Sequence, residues 1–309
     1  MRESVVGVLL ARYLGGALAL ITTLVASTQL VAQTDCCGLA DDCCCCPDEI
    51  CLYSTYLTAR HTFGEGLGYD HGYTTLEAMF YPSWCCNTNW VFFDFRIHRF
   101  TNCDWAANGG IGIRCPAICE DRIYGLNLYY DYLRNDCHSL NFHQIGIGFE
   151  ALGECYDLRV NAYFPLQDKQ RVKSCFFDDY EGGFFISQKE YRESLTGVDL
   201  EVGAHITDIC GLNFYGAIGP YYYNADCFDF VGGRARLMAC IDTCIGMITG
   251  QGLITYDCHF STRWQAEVGI SFPLFPRCEV DCGQSCRVRD IYRNEIIVVD
   301  KNCRWKTNF

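Results

Sequence analysis

Cysteine offers the most chemistry in this sequence: there are 24, the first at Cys36 and the last at Cys303. Closely spaced thiols either ligate a soft metal ion or oxidise to disulfides. The run Cys43-Cys44-Cys45-Cys46 and the four-residue steps Cys115/Cys119, Cys240/Cys244 and Cys278/Cys282/Cys286 approach the spacing of zinc ligands. Structural zinc sites add histidine or further cysteine at matching separations, and no such set recurs. Disulfides are therefore expected, and no metal or other cofactor. Other groupings for catalysis are weak. Histidines 61, 71, 98, 138, 143, 205 and 259 are scattered, and no G-x-S-x-G nucleophile elbow occurs. His98 near Asp94 is expected to be a polar contact and not half of a catalytic dyad. Enzymatic activity is not expected. Nor is nucleic-acid binding, because 37 acidic residues oppose 24 basic ones and backbone contacts rely on clustered Lys and Arg.

The elements that must carry these residues alternate with period two. In Val91 to Arg99, Val91, Phe93, Phe95 and Ile97 oppose Phe92, Asp94, Arg96 and His98. Tyr156, Leu158, Val160, Ala162 and Phe164 oppose Asp157, Arg159, Asn161 and Tyr163. Val198, Leu200, Val202, Ala204 and Ile206 oppose Asp199, Glu201, Gly203 and His205, and Trp264 to Phe272 sets its apolar residues against Gln265, Glu267, Gly269 and Ser271. Alternation over about nine residues is the signature of a transmembrane β-strand, with one face on lipid and the other on a lumen. Twelve such strands are predicted, starting near Tyr56, Tyr73, Trp90, Asn108, Ile123, Asn141, Tyr156, Thr196, Gly211, Phe230, Ile245 and Ser261. The tenth and eleventh are poorly patterned. Clusters such as Tyr129, Tyr130 and Tyr132, Tyr163 and Phe164, and Tyr221 to Tyr223 suit aromatic girdles at the two membrane interfaces.

The fold class expected is an all-β, antiparallel transmembrane barrel of about 12 strands. A β-sandwich would also alternate. Its dry core, however, would not hold unpaired the ionised groups of the second face, here Asp94, Arg96, Arg114, Asp131, Asp157, Arg159, Asp199, Glu201 and Glu267. With His98, these are the candidate lumen-facing residues. The one long apolar run, Val5 to Ala26, follows a Met1-Arg2 start and precedes the small residues Ala26, Ser27 and Ala32, as in a secretory signal peptide. Losing Arg2, Glu3 and Arg12 removes a net +1 from the total of −13, leaving −14. The expected organisation is a signal peptide at 1–32, a cysteine-rich segment at 33–52, the barrel at 53–272 and a cysteine-containing tail at 273–309, placed in a bacterial outer membrane with its lipid as partner.

An even-stranded barrel that starts in the periplasm assigns a side to every connection. Gly64 to Gly72 and Leu166 to Leu195 then lie outside the cell. Cys103, Cys137, Cys175, Cys227 and Cys258 are expected to be external. Cys85, Cys86, Cys115, Cys119, Cys155, Cys210, Cys240 and Cys244 are expected to be periplasmic, with the N-terminal cluster and the C-terminal cysteines Cys278, Cys282, Cys286 and Cys303. Bonded cysteines need Cα atoms within about 7 Å, and the apolar band is about 25 Å tall, so the two sets do not cross-pair. Connectivity within each set cannot be deduced from sequence. Five external cysteines is an odd number, which leaves one free or bonded to another molecule.

Three segments carry a family resemblance: Gly125-Leu126-Asn127-Leu128-Tyr129-Tyr130-Asp131-Tyr132, Ile145-Gly146-Ile147-Gly148-Phe149-Glu150, and Tyr156 to Leu166. They resemble the translocator barrel of inverse autotransporters, the intimin and invasin family, and Ile291 to Asp300 resembles the segment that follows the barrel there. The resemblance implies a twelve-stranded barrel that threads a C-terminal passenger to the cell surface for adhesion. The 37 residues of 273–309 are fewer than an immunoglobulin-like domain of about 100 residues needs, so adhesion through such a domain is not expected. The cysteine density instead resembles the disulfide-crosslinked outer-membrane proteins of some obligate intracellular bacteria. The expectation is a structural, surface-exposed envelope barrel, crosslinked to other cysteine-rich envelope proteins and in contact with a host surface. The alternative is a small-solute porin lined by the mixed charges above, with the tail as a possible occupant of the bore.

Overall fold

The computed structural model describes residues 55–81, 90–116, 122–135, 140–153, 156–166, 170–181, 184–209, 211–225, 228–243, 246–274 and 290–308. The expected signal peptide and residues 33–52 lie outside them, as do Cys85, Cys86, Cys119, Cys137, Cys155, Cys210, Cys227, Cys244, Cys278, Cys282 and Cys286.

Fifteen strands are described: β1 (Tyr56–Gly64), β2 (Tyr73–Phe80), β3 (Trp90–Phe100), β4 (Trp105–Pro116), β5 (Arg122–Asn135), β6 (Leu140–Gly153), β7 (Tyr156–Pro165), β8 (Gln170–Glu181), β9 (Phe184–Ser194), β10 (Thr196–Ile209), β11 (Leu212–Asn224), β12 (Asp229–Asp242), β13 (Met247–Asp257), β14 (Ser261–Pro273) and β15 (Val299–Asn308). Twelve of them close into an antiparallel barrel, β1 pairing with β14 from Tyr56↔Pro273 to Gly64↔Gln265. Closure matters because lipid satisfies no backbone hydrogen bond, so a spanning sheet must have no free edge.

The two faces follow the sequence alternation. Phe95 and Ile97 are 57% and 61% exposed, while Phe92, Asp94 and His98 between and beside them are buried. Leu76, Val198, Ile218, Val231, Ile254 and Val268 are likewise exposed on the outer wall, the apolar band that lipid covers. The aromatic clusters need correction. Tyr130 and Tyr222 face outward, but Tyr129, Tyr163, Tyr221 and Tyr223 are buried in the bore. Period two divides each run of tyrosines between the faces, so only half of each cluster can belong to a girdle.

The remaining strands form a separate sheet in the order β15-β9-β8. β8 and β9 arise inside the long connection between β7 and β10, which pair directly, Gly197 opposite Tyr163. β15 pairs with β9 from Val299↔Ser194 to Asn308↔Ile186. This sheet sits at the end assigned to the cell surface. The Leu195 N–H donates to the Val298 carbonyl at 2.9 Å, and His259, in the β13–β14 turn, lies 3.3 Å from Asp300. Cys303 is therefore at the surface end, a correction to its expected periplasmic place. The chain returns through the barrel before β15 begins.

Candidate functional site in the barrel bore

The bore is filled by the segment that precedes β15. Residues 290–298 begin at the end assigned to the periplasm, where Ile291 packs with Tyr56, Met79, Phe92 and Tyr129. They leave at the surface end, where Ile296 and Ile297 pack with Tyr73, Phe100, Leu133 and Phe142. Val298 meets Leu195, Tyr163, Tyr221, Tyr223 and Phe230. Both ends of the segment are thus sealed by apolar contact, and the middle is held by charge.

Three side chains do the holding. Arg293 forms a two-pronged pair with Asp131 of β5, its Nη1 donating to Oδ1 at 2.7 Å. The fork of the guanidinium matches a carboxylate, which gives direction as well as energy. The guanidinium also lies 4.3 Å from the Tyr129 ring centroid. Glu295 accepts from Arg96 at 3.0 Å, from the Tyr73 hydroxyl at 2.9 Å and from Arg60. Tyr292 lies between the Arg236 guanidinium, 3.6 Å from its ring centroid, and that of Arg159, at 5.0 Å. The backbone is fixed too: Asn108 donates to the Glu295 carbonyl at 2.8 Å and Asn161 to the Tyr292 carbonyl at 3.2 Å.

Space for this comes from glycines on the lumen face. A Cβ on Gly146 would sit 2.4 Å from Nη2 of Arg293, and one on Gly110 would sit 2.2 Å from the Tyr129 ring. At both positions the missing side chain is filled by a group that grips or frames the tail.

The sequence-predicted lumen residues all face inward. Asp94, Arg96, His98, Arg114, Asp131, Asp157, Arg159, Asp199 and Glu201 are buried, and Glu267 has 12% side-chain exposure. They pair with one another: Arg96 Nε with Asp94 at 2.9 Å, Arg114 with Glu150 at 2.9 Å, Arg234 with Asp199 and Arg236 with Glu201 both at 2.6 Å. Asp157 accepts from the Tyr215 hydroxyl at 2.9 Å and from Arg159 at 3.3 Å. His98 bonds Thr75 and Asn108 and not Asp94. Charges removed from water persist only when paired and hydrogen-bonded, and the network supplies that. Arg60, Glu77, Arg293 and Glu295 belong to it as well and were not singled out from the sequence. Their partners are remote, up to 235 positions away for Arg60 and Glu295, so local pattern could not reveal them. Only the family-like segment Ile291 to Asp300 carried a signal.

The fit is uneven. A cavity of about 110 Å³ remains beside the tail, bordered by Arg234, Arg236, Thr249, Gln251, Leu253 and Glu267 of β12 to β14 and reaching Arg60, Thr62 and Arg96 of β1 and β3. Gln251 Oε1, Arg234 Nε and Arg236 Nη1 make no hydrogen bond among the described residues, and a polar cavity of this size is one that water fills. At the surface end Tyr69, from the β1–β2 connection, covers the bore against Tyr73 and Phe100, with ring centroids at 5.7 and 5.6 Å. Burial pushes its phenol well above the ordinary range.

The thiols divide. Cys240 is buried. Cys103, Cys115 and Cys258 are free, Cys103 and Cys258 being exposed in surface-end turns.

Comparison with known proteins gives one family, described as inverse autotransporter, beta-domain, matching residues 49–218. That span is more than half of the chain. Among solved structures, a membrane protein reported under "Unveiling the Mechanism Behind the in-meso Crystallization of Membrane Proteins" aligns at TM-score 0.51 and 15% identity, over 79% of this chain and 99% of that one. The beta domain of the Bordetella autotransporter BrkA aligns at 0.37 and 10%, over 72% and 100%. Escherichia coli outer membrane phospholipase A aligns at 0.39 and 12%, over 72% and 94%. The first of these likenesses speaks to fold alone. No protein of curated function matches the sequence.

Proposed function

The chain belongs to the inverse autotransporter β-domain family and is a barrel of the bacterial outer membrane, and from that premise we propose that it acts as a shut translocator-type barrel whose own C-terminal segment closes the bore and carries β15 to the cell surface. The observation that carries this reading is the path of residues 290–298, bound to opposite walls through Arg293, Glu295 and Tyr292. A porin needs a continuous aqueous path, and the tail stands where that path would run.

The role that follows is structural. A barrel held shut adds no leak to the envelope, while its surface sheet and turns present thiols and backbone to neighbours. Exposed free Cys103 and Cys258 suit disulfides to other cysteine-rich envelope proteins in an oxidising compartment, and the surface sheet is the part a host surface would meet. The test is the location of the C-terminus. An epitope added after Phe309 is expected to bind antibody on intact cells. Binding only after the outer membrane is permeabilised would overturn the reading.

A further inference from the structure

The surface sheet is open. Among the described residues β9 carries β15 on one side and β8 on the other, and no strand pairs with the outer side of either. An unpaired edge presents a row of backbone donors and acceptors that another strand can complete. The two edges differ in charge order. β15 contains Lys301, Arg304 and Lys306 against Asp300, so two β15 edges repel. β8 has Arg171 and Lys173 in its first half and Asp178, Asp179 and Glu181 in its second, around an uncharged centre at Cys175, Phe176 and Phe177.

We infer that the β8 edge is a self-association surface, which pairs antiparallel with β8 of a second copy of this chain. A pairing centred on Cys175 lays the basic half of each copy along the acidic half of the other. Opposite charges across an antiparallel pair stabilise it and like charges weaken it. The arrangement is isologous, so it closes at two copies. The edge is 12 residues long, with register shifts against β9 between Arg171 and Cys175 and between Phe177 and Tyr180, and makes a contact of the weak class, below about 1,200 Å². Confinement of both copies to one membrane plane raises their effective concentration. The inference rests on the orientation proposed above and not on the bore being shut, so a conducting barrel would leave it standing.

The test uses the full chain in proteoliposomes under reductant, with donor or acceptor dye attached after Phe309. Energy transfer between wild-type copies is expected to exceed that of randomly mixed barrels. Arg171→Glu with Lys173→Glu, and separately Asp178→Lys with Asp179→Lys, are each expected to weaken association at least tenfold. Mixing the two variants restores it, since an all-acidic β8 then faces a largely basic one, and that rescue excludes misfolding as the cause. Wild-type transfer at the random level, or variants that associate as the wild type does, would overturn the inference.

Discussion

Strands β1 to β7 and strands β12 to β14 enclose the same bore but treat the tail inside it differently. The first wall grips. Arg60, Tyr73, Arg96, Asn108, Asp131 and Asn161 each bond the tail, and Gly146 makes room for Arg293. Along the second wall Tyr292 stacks on Arg236 and donates to Met238 sulfur at 2.7 Å. Beyond that contact lies the cavity bordered by Thr249, Gln251 and Leu253. The difference teaches where specificity resides: one wall fixes the tail's register by directional charge pairs, and the other holds it through the single ring of Tyr292. The family match, 49–218, ends within β11 and so takes in the gripping wall.

The largest effect expected from breaking the grip is at Arg293. Arg293→Ala leaves Asp131 buried and unmatched by its forked partner, and losing one partner of a buried pair costs about 3–5 kcal/mol. Chemical unfolding in lipid, followed by tryptophan fluorescence, should report it. The double variant with Asp131→Ala should recover much of the loss, since no charge is then left unpaired. If the double variant were as unstable as the single, the pair would not be the reason for the loss.

A smaller effect comes from the glycines, where a substitution against the tail can be compared with one on the outer face. Gly146→Ala places a methyl against the Arg293 guanidinium and should cost about 1–3 kcal/mol by overpacking. Gly252→Ala on β13 is the outward-facing control: its side chain position is exposed, meets nothing within 4 Å and should stay within about 0.5 kcal/mol. Equal costs in the same unfolding assay would mean that contact with Arg293 is not the source of the loss at Gly146.

An effect similar to that of Gly146→Ala is expected of Tyr292→Leu, which keeps bulk while removing the aromatic face between Arg159 and Arg236. A desolvated cation–π contact is worth about 2 kcal/mol. A loss well above that would mean the second wall grips more than its geometry indicates.

The same contrast governs what the sequence disclosed. The twelve barrel strands were legible, with observed starts at Tyr56, Tyr73, Trp90, Tyr156, Thr196 and Ser261 where alternation placed them. β12 and β13 were faint because Gly232, Gly233, Gly250 and Gly252 occupy positions where large apolar or polar side chains would have marked a face. The three-stranded sheet was missed altogether. β15 depends on a partner more than 100 positions away, Val299 on Ser194, and pairing at that distance leaves no local period. The lumen charges were legible as a set because ionised groups alternating with aliphatic ones have no place in a dry core. Their partners in the tail were not, since Arg293 and Glu295 lie in a stretch without strand periodicity.

The central claim, that the tail shuts the barrel, is tested most directly by single-channel conductance in planar bilayers, comparing the full chain with one truncated after Phe272. A silent full chain and a steadily conducting truncated barrel is the predicted result. Stable conductance from the full chain would contradict it and make the protein a porin whose tail does not close the bore.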